Sequence, residues 1–264
     1  MDLKYGKFHE KQDTEINEKS DDDNANDAND DNDENSQTKS YIYIQPVILE
    51  NINLDKYFSR KDIDTAKRNN KELKITDKGL YSITKYEDAE WISHIIIKFI
   101  ESNDNIKSKN MHIIDATAGI GGNTINFAKY FRYVSAIEIN DIHYSVLYNN
   151  INALQLSNIS TFNQSFLVNL ENGDNYGKAI NNTIFFFDPP WGGKSYKNFK
   201  YFNLKIGKLY IYNVINMLHA KKYKYVVLKA PYNLNVSPIL GNVKYENMNI
   251  YKNYKKNMVL VIFY

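Results

Sequence analysis

The run Ile184-Phe185-Phe186-Phe187 closes in Asp188-Pro189-Pro190-Trp191-Gly192-Gly193, and no other feature constrains the fold as strongly. A short, wholly apolar run of this kind is a buried strand. Ending it in an acid, two prolines and a tryptophan makes a rigid, π-faced ledge at the carboxyl edge, where α/β enzymes bind their ligands. Upstream, Met111-His112-Ile113-Ile114-Asp115 runs into Ala116-Thr117-Ala118-Gly119-Ile120-Gly121-Gly122. That is a second strand ending in an acid, followed by a glycine-rich loop.

The pattern between and around these motifs is regular. Strand 111–115 leads to a helix near 123–131, strand 134–139 to a helix near 143–156, and strand 159–163 to a loop holding Gly173 and Gly177. Strand 183–188 leads to a helix near 207–220, and strand 225–230 follows. Residues 245–250 and 258–263 form a closing hairpin. Strands alternating with helices predict an α/β fold with a mostly parallel sheet covered on both faces, here ending in an antiparallel strand. Ahead of it, Ala89, Ile92, Ile95, Ile96 and Phe99 recur at helical spacing, after a loop over residues 76–84. The expected organisation is an acidic tail over 1–40, a small helical extension over 41–108 and a catalytic domain over 109–264.

Charge divides the chain the same way. Residues 1–40 carry a net charge of −8 and residues 41–264 one of +10. Residues 21–35 are almost wholly Asp, Asn and Glu, a composition that cannot offset its chain entropy and predicts a disordered spacer. The basic remainder fits a polyanionic partner, most simply nucleic acid, and equally fits ordinary solubilising lysine. There is no cysteine, which excludes disulfides and cysteine metal sites and fits a reducing intracellular setting. No apolar run approaches the ~20 residues of a membrane span. The abundance of Asn, Lys, Ile and Tyr looks like A+T-rich coding, as in a large DNA virus or a protist.

The chemistry follows from the two strand ends. Gly119, Gly121 and Gly122 let the backbone turn sharply and approach a ligand. Glu138, at the end of the next strand, stands 23 residues after Asp115, the spacing at which an acid reaches a ribose diol. The third glycine of the dinucleotide fingerprint is absent. An acid at 115 suits the cationic methionine end of S-adenosylmethionine better than a pyrophosphate. The Asp188-Pro-Pro-Trp ledge suits an exocyclic amine acceptor. Trp191 stacks on the ring, while the prolines fix the backbone so that a carbonyl of Asp188 or Pro189 points at the amine. The Asp188 carboxylate adds a second acceptor.

With these residues in view, the chain resembles the trimethylguanosine synthases, the cap-specific guanine-N2 RNA methyltransferases. Leu80-Tyr81-Ser82-Ile83-Thr84 is similar to that family's Trp-Phe-Ser-Val-Thr, and Gly119 through Ile125 to its Gly-Val-Gly-Gly-Asn-Thr-Ile. Residues 189–193 match its Pro-Pro-Trp-Gly-Gly, and Tyr57-Phe58-Ser59-Arg60 resembles its Leu-Phe-Ser-Arg. The resemblance covers roughly residues 55–264. It implies a Rossmann-like class I methyltransferase, expected as a monomer, that uses S-adenosylmethionine on 7-methylguanosine-capped RNA. By it Thr84, Asp115, Thr117, Gly119, Gly121, Asn123, Thr124, Glu138, Ser165 and Asp188 hold the cofactor. Asp188, Pro189 and Trp191 are catalytic, and Ser82, Trp191, Lys194, Lys229 and Asn233 meet the substrate.

The departures bear on chemistry. Asp188 stands where many members have Ser, and Lys194 where Pro is common. Gln164-Ser165-Phe166 replaces Gly-Asp-Phe near the adenine. Pro231-Tyr232-Asn233 replaces Pro-Arg-Asn, leaving Lys229 or Lys194 to supply the missing phosphate contact. An N6-adenine methyltransferase also favours Asp-Pro-Pro-Trp and stays open as an alternative, as does a non-catalytic cap-binding module. His94, His112, His143 and His219 share no metal-like spacing, so no metal is expected. The tyrosines between Tyr196 and Tyr212 either stack on RNA bases or are half-buried structure.

Overall fold

A computed structural model of the chain describes residues 47–172 and 180–264. The acidic tail over 1–40 and the loop glycines Gly173 and Gly177 lie outside the described residues. Seven strands form one sheet: β1 (His112–Asp115), β2 (Tyr133–Glu138), β3 (Ile159–Asn163), β4 (Thr183–Phe187), β7 (Tyr225–Pro231), β8 (Met248–Asn253) and β9 (Met258–Phe263). A separate two-stranded hairpin holds β5 (Lys205–Ile206) and β6 (Leu209–Tyr210).

The order across the sheet is β3-β2-β1-β4-β7-β9-β8, with β3 through β7 parallel. β9 inserts antiparallel between β7 and β8. The reversed strand expected at the end of the sheet is therefore one place in, and β8 is the edge.

Side chains of the buried strands alternate between the two faces as the pleat requires. Phe185 and Phe187 join Leu228 and Val261 on one face, under Val214, Ile215 and Leu218 of α7 (Ile211–Ala220). Ile184 and Phe186 join Val227 and Leu260 on the other. There they meet Ile92, Ile96 and Phe99 of α3 (Tyr86–Asp104) and Phe127 of α4 (Gly122–Tyr130). Each fully buried side chain of this size contributes ~1.5–3 kcal/mol. α5 (Asp141–Leu154) completes the covering layers.

The N-terminal segment includes α1 (Arg60–Arg68), whose Ser59 and Asp62 form a reciprocal capping box. It packs Phe58, Ile63, Leu73 and Ile75 against Ile120, Val146 and Leu154. Buried Asn150 fixes it to the glycine loop. Its side-chain oxygen accepts from Lys74 N at 2.8 Å, and its amide donates to Lys74 O at 3.0 Å and to Ile120 O at 3.2 Å.

Four local expectations change. The segment expected as a loop over 76–84 contains a helical turn, α2 (Gly79–Ser82), whose first N–H bonds to Thr76 Oγ1. The helix expected near 207–220 begins only at Ile211, because residues 205–210 pair as the β5–β6 hairpin. After β3 the chain enters α6 (Phe166–Asn172) rather than a loop, with Phe166 and Leu170 in the core. Ser237–Asn242 forms a further helix, α8.

Candidate active site

The order β2-β1-β4-β7 reverses direction between β1 and β4, and a crevice outside the carboxyl ends of the strands forms at such a switch. The strand-end residues singled out by the sequence all lie along this edge. Glu138 ends β2, Asp115 ends β1, Asp188 follows β4 and Pro231 ends β7. Ser165 follows Gln164, whose N–H bonds to Glu138 O at 3.1 Å.

Around the switch the polar groups form two linked sets. The first centres on Asp115, wholly buried, whose Oδ2 accepts from Thr124 Oγ1 at 2.7 Å. Among the described residues its buried Oδ1 has no hydrogen-bond partner of normal geometry, although the Thr117 backbone N–H acts on this carboxyl and lowers its pKa. Burial first, then the nearby Asp188 and Glu138 charges, pushes this carboxyl up to about 7. A buried acceptor without a donor marks a place where a ligand cation or N–H completes the site. Glu138 accepts from Gly119 N at 2.7 Å and from Asn140 N at 2.8 Å.

The glycine loop divides into a packed side and an open side. A Cβ on Gly122 would lie 2.6 Å from the Thr84 carbonyl, so this position must stay bare for α4 to approach the Ser82–Thr84 segment. Gly119 has φ +57°, and a Cβ there would meet nothing within 4 Å. Open space beside the loop, the unpartnered Asp115 oxygen and the Glu138 carboxylate fit a ligand with a cationic end and a ribose diol, as S-adenosylmethionine has.

The second set centres on Asp188. Its Oδ2 accepts from Lys229 Nζ at 2.6 Å, Thr84 Oγ1 at 3.1 Å and Asn123 Nδ2 at 3.2 Å. Lys229 and Asn123 also bond to Thr84 Oγ1, at 2.8 and 2.9 Å. Asp188 N donates to Thr117 Oγ1 at 2.7 Å. Lys229 Nζ lies 5.3 Å from the Trp191 ring centroid, and Tyr196 meets that ring edge-on at 5.3 Å. Trp191 is half-buried, and its indole N–H has no partner.

This geometry gives three of these residues their partners. Lys229 is only 8% exposed and its ammonium is bonded to Asp188 and Thr84, so it is the counter-ion of Asp188. Thr124 is wholly buried against Asp115 and acts through that acid. Asn233 donates its amide N–H groups to the Tyr196 and Phe199 carbonyls, at 2.9 and 2.8 Å, bracing the loop after Trp191, while its Oδ1 is buried without a partner among the described residues. Ser82 is exposed on α2 with its hydroxyl on Gly79 O at 3.3 Å. Lys194 stands in the 3-10 turn Gly193–Asn198, and its side chain is outside what the structure describes. The sequence names Tyr196 as the start of a tyrosine-rich stretch but not as a partner of Trp191. The Gly192-Gly193 turn, both glycines at positive φ, precedes the return of the chain to that ring.

Among the described residues no three His, Asp or Glu side chains are placed to hold a metal. His112 is tied to Ser135 Oγ at 2.9 Å, and burial lowers its pKa to about 4. No described helix is long and apolar enough to cross a membrane.

Comparison with known proteins gives the family. The model of the RNA cap guanine-N2 methyltransferase family matches residues 110–262. The chain belongs to that family. It is accordingly an S-adenosylmethionine-dependent methyltransferase. It is 33% identical over 206 residues to the uncharacterized protein L320 of Acanthamoeba polyphaga mimivirus, covering 72% of this chain and 79% of that one. It is 30% identical over 160 residues to the trimethylguanosine synthase of Schizosaccharomyces pombe, covering 60% of this chain and 63% of the yeast protein. A solved putative methyltransferase from Porphyromonas gingivalis W83 shares the fold with a TM-score of 0.51 at 13% identity, over 72% of this chain and 43% of that one.

Proposed function

We propose that the protein methylates the exocyclic N2 of a 7-methylguanosine RNA cap. The observation that carries this reading is the joining of Trp191 to the Asp188 cluster at the switch point. A planar acceptor stacked on Trp191 brings its exocyclic amine beside the Asp188 carboxylate and the Asp188 and Pro189 carbonyls. A ring methylated at N7 is cationic, and stacking plus the cation–π attraction contributes roughly 1–3 kcal/mol toward selecting it.

Bound S-adenosylmethionine supplies the electrophilic methyl group. On this reading Asp115 holds its cationic end, Glu138 its ribose hydroxyls, and Gly119 leaves room for it. Ser165 lies toward the adenine. Lys229, Thr84 and Asn123 occupy Asp188 Oδ2, so the carboxylate has a fixed orientation and can accept from the amine through Oδ1. Orientation of this kind lowers the barrier by removing the search for an in-line geometry. Ser82 and Lys194 are the candidates to meet the cap phosphates.

Asp188, where the resemblance gives many family members Ser, is also the acid of the Asp-Pro-Pro-Trp motif favoured by adenine-N6 enzymes, so the test must separate the two acceptors. Labelled cofactor is offered with 7-methylguanosine-capped, unmethylated guanosine-capped and adenosine dinucleotides. Transfer to the first, at least tenfold above the others, supports the reading. Preferential transfer to the adenosine substrate overturns it.

A further inference from the structure

Of the eighteen acidic residues that follow residue 40, seventeen precede Pro189. From Pro189 to Tyr245 the chain holds ten lysines and no Asp or Glu. The fold gathers one part of this segment beside Trp191. From the tryptophan the chain turns through residues 193–198, and Asn233 holds the Tyr196 and Phe199 carbonyls against the end of β7. Phe202 then exchanges backbone hydrogen bonds of 2.8 Å with Asn233 and Asn235, and Ile211 N bonds to Leu204 O at 3.0 Å. The stretch from Trp191 to the β5–β6 hairpin is thereby fixed to the body of the enzyme.

Its outward side chains alternate between rings and ammonium groups. Phe199 and Tyr201 are 55% and 62% exposed, and Tyr232 beside them is 56% exposed. Lys200 lies 5.5 Å from the Tyr201 ring and Lys205 4.4 Å from the Tyr210 ring. Tyr210 and Tyr212 stack at 5.4 Å with an 8° tilt. Lys197 and Lys208 are exposed as well. Half-buried structure would account for tyrosines that face inward, but not for rings held outward beside lysines that pair with no acid among the described residues.

We propose that this surface, from Lys197 to Tyr212 with Tyr232, binds the single-stranded RNA that follows the cap. Exposed rings offer stacking faces to successive bases without choosing among them, and the lysines meet the phosphates between. A cap seated on Trp191 delivers the next nucleotides to Tyr196 and Phe199. The substrate is therefore a capped strand with an unpaired 5′ end, rather than the cap alone. This rests on the function proposed above for its orientation, but the surface itself binds RNA whether or not the cap is the acceptor.

The test replaces Lys197, Lys200, Lys205 and Lys208 with Gln in one variant, and Phe199 and Tyr201 with Ala in another. Fluorescence anisotropy with an uncapped single-stranded ten-nucleotide RNA reads binding alone. Steady-state transfer compares a capped ten-mer with the capped dinucleotide. All substituted side chains are exposed, so melting temperatures should match the parent. Each variant should weaken ten-mer binding at least tenfold. KM should rise for the capped ten-mer, with kcat and the dinucleotide KM unchanged. The lysine variant should also flatten the salt dependence, by about 0.7 in the log–log slope per lost phosphate contact. Equal binding of parent and variants, equal effects on ten-mer and dinucleotide, or undiminished binding of a fully paired duplex would each overturn the proposal. If no cap is methylated but ten-mer binding still depends on these residues, the surface stands and the assigned acceptor falls.

Discussion

Lys229 and Asp188 face each other because β4 and β7 pair in register at Phe187 and Leu228. One residue further along each strand, the ammonium and the carboxylate meet at 2.6 Å with both side chains about 10% exposed. Removing one partner of a buried pair strands the other charge and costs ~3–5 kcal/mol. Lys229→Met should therefore lower stability by about that amount. Asp188→Ser with Lys229→Met should recover most of the loss. Urea denaturation of the two single variants and the double variant checks this. A double variant as unstable as the sum of the singles would mean that the pair does not act as a unit.

On the proposed reading Asp115 should make cofactor binding depend on pH. Its carboxyl sits near 7 in the folded chain against an ordinary value of 3.8. The folded state therefore holds the extra proton between about pH 4 and pH 7. Stability from this residue is present below that window and lost as pH rises through it. Asp115→Asn should flatten the fall in melting temperature between pH 5 and pH 8. On that reading the cationic end of S-adenosylmethionine favours the ionised acid, whose fraction rises from about 0.09 at pH 6 to about 0.5 at pH 7, so calorimetric affinity should rise about fivefold over that unit in the parent. It should stay flat in Asp115→Asn.

The two sides of the glycine loop should respond differently. Gly119→Ala places a methyl group in open space at φ +57° and should cost only ~1–2 kcal/mol of backbone strain. It should nevertheless impair cofactor binding, because on the proposed reading the ligand takes that space. Gly122→Ala drives a methyl into the Thr84 backbone and should lower the melting temperature far more. Paired thermal and binding measurements separate the cases. Full cofactor affinity in a folded Gly119→Ala protein would show that the ligand does not pass there.

Strand ends were legible in the sequence because the chemistry of each is local. An apolar run stopping at Asp115, Glu138 or Asp188 needs only its neighbours to be recognised. Lys229 was legible as a basic residue but not as the counter-ion of Asp188, since 41 residues separate them and only strand register joins them. α6 was missed for a related reason, as Phe166 and Leu170 supply too few apolar positions for helical periodicity to emerge. The β5–β6 hairpin has just two residues per strand, below the length at which alternation is visible. By contrast α1 carries its signal locally, in the Ser59–Asp62 capping box.

Trp191→Ala should reduce turnover on a capped dinucleotide at least a hundredfold while S-adenosylmethionine affinity stays within twofold. The ring contacts Tyr196 and lies near Lys229, not the Asp115–Glu138 end of the crevice. Comparison of single-turnover rates with cofactor titrations checks this. A parallel loss of cofactor binding would place Trp191 in the cofactor site instead.

Product analysis identifies the methylated atom. A 7-methylguanosine-capped RNA whose first nucleotide is adenosine is reacted with labelled S-adenosylmethionine, digested to nucleosides and resolved by mass and chromatography. Label is expected only in N2,7-dimethylguanosine or N2,N2,7-trimethylguanosine, and none when the N7 methyl group is missing from the substrate. Label in N6-methyladenosine, or equal labelling of the unmethylated cap, would contradict the proposed function.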